Sequence, residues 1–177
     1  MSLVHTIGHS TRPLDELIAM LRDAGVRTLV DVRRHPVSRR HPQFGRDALA
    51  ASLRAAGIAY VHEADLGGHR EPRSDSPNTA WRNAAFRGYA DHVATAEFAE
   101  AVARVATLAD AAVMCAEALP ERCHRQLLAD ALVCRGLRVR HLIGPGSSRD
   151  HALHPRAVCT EGTLLYPAAG QLFLPPS

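Results

Sequence analysis

Apolar residues recur along this chain in two rhythms. Short continuous apolar runs read as strands buried on both faces, and longer runs with apolar residues every three or four positions read as amphipathic helices. Leu3 to Gly8 is the first strand. A helix follows from Thr11 or Arg12, with Pro13 early, Asp15 and Glu16 in its first turn, and Leu14, Leu17, Ile18 and Leu21 on one face. Gly25 closes it. Arg27 to Val32 predicts a second strand, Asp47 to Ala56 a second helix closed by Gly57, and Ile58 to His62 a third strand. A polar loop, Glu63 to Ala80, leads to helices over Phe86 to Val93 and Thr95 to Leu108. In the latter, Phe98, Ala101, Val102 and Val105 share a face. Ala111 to Cys115 is a fourth strand, Pro120 to Arg135 a helix, and Leu137 to Ile143 a fifth strand.

Strands alternating with helices predict a three-layer α/β domain with a mostly parallel sheet of about five strands. After Gly144 the pattern changes. Ala157 to Cys159, Thr163 to Tyr166 and Gln171 to Leu174 read as short strands, with turns at Thr160-Glu161-Gly162 and Pro167 to Gly170. Residues 1–144 are therefore expected to form the α/β domain. Residues 145–177 are expected to form a small β-hairpin extension packed on it.

Composition narrows the chemistry. All 21 basic residues are arginine, which excludes a lysine Schiff base and a P-loop lysine. A formal net charge of +3 does not demand a nucleic-acid partner. No apolar run approaches the roughly 20 residues that span a bilayer, and Met1-Ser2-Leu3-Val4-His5 is not a charged-then-apolar secretion signal. The expectation is a cytoplasmic protein whose four cysteines, Cys115, Cys123, Cys134 and Cys159, are reduced thiols.

In a parallel sheet all strands end at one edge, and ligands of open α/β sheets bind there. The predicted ends carry His9 and Ser10, Asp31 and Arg33, His62 and Glu63, Cys115 and Glu117, and His141. The run from Cys115 to Arg125 is the densest, with Cys123, His124 and Arg125 at the start of the predicted helix. Cys115 and Glu117 are the candidates for chemistry, as thiolate and general acid/base. His9 and His124 are candidates for proton transfer or orientation. Arg33, Arg125 and a basic loop that includes Ser38 and Arg39 would hold ligand charge. Ser10, Asp31 and Cys123 complete the ligand-binding set, and Tyr89 or Trp81 would stack on a base.

Several segments occur in a recognisable order. They are Thr6-Ile7-Gly8-His9-Ser10, Asp31-Val32-Arg33, Pro36-Val37-Ser38-Arg39, Leu66-Gly67-Gly68, Gly88-Tyr89-Ala90, Cys115-Ala116-Glu117, Cys123-His124-Arg125 and Val139-Arg140-His141-Leu142. Together they resemble the family catalogued as domain of unknown function 488, over roughly residues 4 to 144. The resemblance implies an α/β domain with signature residues at the sheet edge. It implies no activity, because the family has no settled one.

Three functions follow as expectations. The first is a pocket at the strand ends that binds or processes a polar anionic ligand, nucleotide-like or nucleic-acid-like, for which a Cys/Glu-dependent hydrolase or transferase is the enzyme class expected. The second is thiol or sulfur chemistry, since a thiol at a strand end followed by a turn and a helix resembles rhodaneses and cysteine phosphatases. A phosphatase loop fits poorly: six residues, not five, separate Cys115 from Arg122, and no glycine lies between them. Glu117 and Glu121 would also repel a dianion by about 1 to 4 kcal/mol each at about 4 Å. The third is a divalent-metal site drawn from Cys115, Cys123, His124, His9 and His141, although seven residues between the cysteines exceed the usual ligand spacing. No cofactor is otherwise expected.

Overall fold

The computed structural model describes residues 2–170. Five parallel strands, β1 (Leu3–Gly8), β2 (Thr28–Asp31), β3 (Ala59–His62), β4 (Ala111–Cys115) and β5 (Arg138–Gly144), form a sheet with an antiparallel edge strand, β6 (Ser147–Asp150). Their order is β3-β2-β4-β1-β5-β6. The helices are α1 (Leu14–Asp23), α2 (Arg46–Ala55), α3 (Ala84–Val93), α4 (Ala96–Ala106) and α5 (Arg125–Cys134).

Side-chain alternation along the strands divides the interior into two cores. Ile7, Leu29, Ala112, Met114 and Leu142 pack with Leu17 and Leu21 of α1 and Leu49 and Leu53 of α2. Val4, Val30, Val113, Cys115 and Val139 pack on the other face with residues of α3, α4 and α5. The molecule therefore has the three layers predicted from the sequence. Cys115 belongs to the α5 face, one residue out of phase with Met114.

The helix ends follow local chemistry. Pro13 precedes α1, and Asp15, Glu16 and Arg22 lie where the helix dipole favours them. The Asn83 carbonyl oxygen accepts from the Ala85 and Phe86 amides to start α3, and Thr95 Oγ1 accepts from the Phe98 amide to start α4.

Two expectations change. The helix predicted from Pro120 begins at Arg125: Pro120–Arg122 forms a 3₁₀ turn, and Cys123 is extended (φ −136°, ψ 154°). Cys123 and His124 are thus not in the helix's first turn. The five parallel strands are those expected, and the wholly exposed segment Ser147–Asp150 adds a sixth, antiparallel strand by pairing with β5. The hairpin β7 (Val158–Thr160) and β8 (Thr163–Leu165) turns through Glu161 and Gly162, both with positive φ as a two-residue I′ turn requires. The strand predicted at Gln171 to Leu174 lies outside the described residues.

The second change concerns redox state. Cys134 and Cys159 form a disulfide joining the end of α5 to β7, so the expectation of four reduced thiols is overturned for this pair. The two cysteines are 25 positions apart and meet only because the hairpin packs on α5. Leu164 and Tyr166 enter the main core beside it. Cys115 and Cys123 are free. Among the described residues no helix is long and apolar enough to cross a membrane.

Candidate functional site

The strand order locates a crevice. From β1 the chain crosses by α1 to β2 on one side, and from β4 it crosses by α5 to β5 on the other. β1 and β4 are neighbours, so their outgoing loops part in opposite directions at the carboxyl edge. Such a switch point is where open α/β sheets bind ligands.

Here the two loops are bound to each other. The His9 amide donates to the Cys115 carbonyl (3.1 Å) and the Ser10 amide to the Ala116 carbonyl (2.8 Å). A Cβ on Gly8 would lie 1.7 Å from the Glu117 carbonyl oxygen, so only glycine lets the Glu117 turn rest on the end of β1.

Two thiols form the floor of the crevice. Cys123 Sγ donates to Cys115 Sγ at 2.9 Å, and both residues are buried. The Cys115 thiol titrates below its ordinary value. The Cys123 hydrogen bond is the main cause and the Arg125 guanidinium adds to it, together outweighing burial. The Cys123 thiol is pushed up by that same hydrogen bond and by burial. Of the two, Cys115 is the more acidic thiol and Cys123 the donor in their hydrogen bond.

Arg125 is 1% exposed, yet no carboxylate pairs with it among the described residues. Its Nη2 donates to the Glu117 and Ala118 carbonyls (3.2 and 2.9 Å), while Nε and Nη1 have no partner. An unpaired buried cation is costly. The Cys115 thiol donates to the same Glu117 carbonyl at 3.6 Å, which brings its sulfur near that guanidinium.

The His124 ring stands over the thiols, with Nδ1 3.4 Å from Cys123 Sγ. Burial, helped by Arg125, lowers its pKa to about 4, so it is neutral at pH 7. A Cβ on Gly68 would lie 2.8 Å from that Nδ1. The second glycine of Leu66-Gly67-Gly68 thus makes room for the imidazole.

The opposite wall is built from a closed ion pair. Arg33 Nε and Nη2 donate to the two oxygens of Asp31 (2.8 and 2.6 Å), and Tyr60 Oη donates to the same carboxylate (2.6 Å). Arg33 Nη2 also donates to the Phe44 carbonyl (2.7 Å), anchoring the basic loop, and Phe44 stacks on His9 (4.4 Å). His9 Nδ1 donates to the Ser10 carbonyl (2.9 Å), and its Nε2 accepts from Arg33 Nη1 (3.3 Å). Burial lowers the His9 pKa, in keeping with this neutral, doubly bonded ring. Both its nitrogens are engaged, which suits orientation rather than proton transfer.

Between these walls lies a cavity of about 390 Å³. Of the residues anticipated from the sequence, His9, Arg33, Ser38, Cys115, Glu117, Cys123 and His124 line it. Five others do not. Asp31 is fully buried beneath Arg33, and Ser10 and the exposed Arg39 lie outside the lining. Arg125 sits behind the thiols rather than facing a ligand. Tyr89 is buried in the core with its hydroxyl donating to the Leu66 carbonyl (2.8 Å), so it cannot stack on a base. Trp81 packs against Phe86, His154 and Tyr166, also outside the lining. Arg34, His35 and Arg122 complete the basic mouth. Gly68, His69 and Phe86 were not anticipated; the glycine pair after β3 was the available signal.

The metal expectation meets a different arrangement. Among the described residues no group of three His, Cys, Asp or Glu side chains is placed to hold an ion. His141 lies away from the thiols, bonded through Nδ1 to Thr6 Oγ1 (2.6 Å) and through Nε2 to His151 Nδ1 (2.9 Å). His151 continues to Asp130 (2.7 Å), which also accepts from Tyr166 Oη (2.7 Å).

The family model described as domain of unknown function DUF488 matches residues 13–132. The chain belongs to this family. The match runs from the approach to α1 into α5, so it contains Arg33, the Gly67-Gly68 pair, both free thiols and His124 of this DUF488 member. No curated protein and no solved structure matches the chain.

Proposed function

We propose that the cavity is a thiolate site acting on a small anionic ligand, with Cys115 as nucleophile. The observation that carries this reading is the Cys123 hydrogen bond to Cys115 Sγ at the cavity floor, with the unpaired Arg125 guanidinium behind it. A buried thiol in apolar surroundings is inert, whereas one beside a cation and a strong donor ionises near neutral pH. Arg34 and Arg122 at the mouth supply attraction for an anion, because Arg33 is already matched by Asp31. Glu117, exposed at the same mouth, is the candidate proton acceptor for an attacking water or acceptor group. On this reading the protein is a cysteine-dependent transferase or hydrolase.

A nucleotide is the second reading. Phe86 lines the cavity and offers a face to a base, although Tyr89 and Trp81 are engaged elsewhere.

Iodoacetamide labelling at pH 7, followed by peptide mass spectrometry, tests the first reading. Cys115 should react faster than a model peptide thiol, and a bound anion should slow it. A rate no faster than the model thiol would remove Cys115 as a nucleophile. Thermal-shift measurements with mononucleotides test the second; no shift with any of them would remove it.

A further inference from the structure

We propose that Cys115 and Cys123 form a nucleophile and resolving-thiol pair that reduces an anionic low-molecular-weight disulfide. This rests on the reading of Cys115 as the thiolate and adds the substrate class and the role of Cys123. A nucleophile that forms an ester or phosphoryl intermediate needs water or an acceptor beside it. Here the neighbouring group is a second thiol, 2.9 Å away, within an ångström of the roughly 2.05 Å of a disulfide bond. Cys123 sits on extended backbone between a 3₁₀ turn and α5, its amide donating to the Pro120 carbonyl and its carbonyl accepting from the Gln126 amide, which holds its thiol towards Cys115. The glycine-free turn after Cys115 offers no nest for a phosphate, whereas attack on sulfur needs none.

The steps balance. Cys115 thiolate attacks one sulfur of R–S–S–R, forming Cys115–S–S–R and expelling RS⁻, which takes a proton from solvent. Cys123 then attacks Cys115 Sγ as its own proton passes to the second departing RS⁻. The products are two RSH and a Cys115–Cys123 disulfide; the substrate disulfide is the oxidant and the two cysteines are oxidised. An external dithiol returns the pair to the reduced state by the reverse exchange. The chemistry also explains the asymmetry of the pair. While Cys115 is a thiolate, Cys123 is held protonated as its donor. Once Cys115 is neutral in the mixed disulfide, that restraint is gone and Cys123 becomes a better nucleophile.

The probe is glutathione disulfide, with protein whose Cys134–Cys159 bond is intact. The wild type should release two glutathione molecules per chain and yield a Cys115–Cys123 cross-linked peptide. C123S should release one and retain a glutathione adduct on Cys115, and C115S should release none at the fast rate. Release of one molecule with a lasting adduct in the wild type overturns the resolving role and leaves the thiolate reading intact. No release while iodoacetamide still labels Cys115 quickly overturns the disulfide substrate alone. No release and no fast labelling overturns both. Mapping the cross-link in the wild type decides the matter even if a variant fails to fold.

Discussion

Replacing Cys123 with alanine removes the main cause that holds Cys115 as a thiolate. The lost interaction is one hydrogen bond from a thiol to a charged sulfur, donor and acceptor 2.9 Å apart in a buried site. Hydrogen bonds to charged groups contribute about 1.5–3 kcal/mol. At 1.36 kcal/mol per pKa unit, the Cys115 midpoint should rise by about one to two units in Cys123→Ala. The pH dependence of iodoacetamide labelling reads this directly, with peptide mass spectrometry assigning the label to Cys115. The rate at one pH is a poorer readout, because a more basic thiolate is a better nucleophile and partly offsets its lower population. Cys123→Ser keeps a donor at the same place and should move the midpoint by less than half as much. The wild-type midpoint should itself fall below the roughly 8.5 of a free cysteine. A midpoint in Cys123→Ala within about 0.3 unit of wild type would refute the reasoning. So would a serine variant that shifts as far as the alanine one.

Asp31→Asn leaves the buried Arg33 guanidinium without its counter-charge, and breaking such a pair from one side costs about 3–5 kcal/mol. At roughly 2–4 °C per kcal/mol the melting temperature should fall by about 6–20 °C, and a fall under about 2 °C would contradict the pairing. Gly8→Ala places a methyl 1.7 Å from the Glu117 carbonyl oxygen, where backbone must move. It should cost about 1–3 kcal/mol or more in urea denaturation, and an unchanged midpoint would show that the turn after β4 is free to shift. Burial lowers the His141 pKa to about 3, so the fold favours the neutral ring. That contribution is complete above pH 6.5 and is lost as pH falls from 6.5 towards 3. The urea midpoint of His141→Gln should therefore drop less between pH 7 and pH 4.5 than that of the wild type; parallel pH dependences would exclude His141 as a source of the acid sensitivity.

Periodicity made the layers legible. The apolar runs ending at Gly8 and Cys115 coincide with β1 and β4, because central parallel strands are buried on both faces and leave a continuous signal. Edge elements left none. Ser147–Asp150 carries no apolar residue and becomes a strand only because the edge of β5 offers it partners. Pro120 marks a helical turn, but a 3₁₀ one, since Cys123 unwinds to bring its thiol to Cys115. The glycines at positions 8, 68 and 88 could be seen as motif letters, but not their reason. Each lies where a Cβ would strike another segment: the Glu117 carbonyl, the His124 ring and the Arg70 carbonyl respectively. Tyr89 and Arg125 were read as ligand groups because residue type carries no record of burial.

The two buried arginines show why residue type alone misassigned the charge of the site. Arg33, at a strand end beside a cavity, has the look of the ligand cation, yet Asp31 takes two of its five donors and Phe44 and His9 take two more. Its charge is spent within the wall, and what it supplies is rigidity: it fixes His9, the basic loop and the end of β2 in one network. Arg125 is placed out of reach of a ligand, yet two of its nitrogens are unmatched. A guanidinium cannot shed its proton in compensation, so the fold needs an anion close by. Protonating Cys115 would leave that cation with carbonyl oxygens alone. In the proposed thiolate form, the charge of Cys115 and the burial of Arg125 would stabilise one another, so the way α5 begins would tune the thiol.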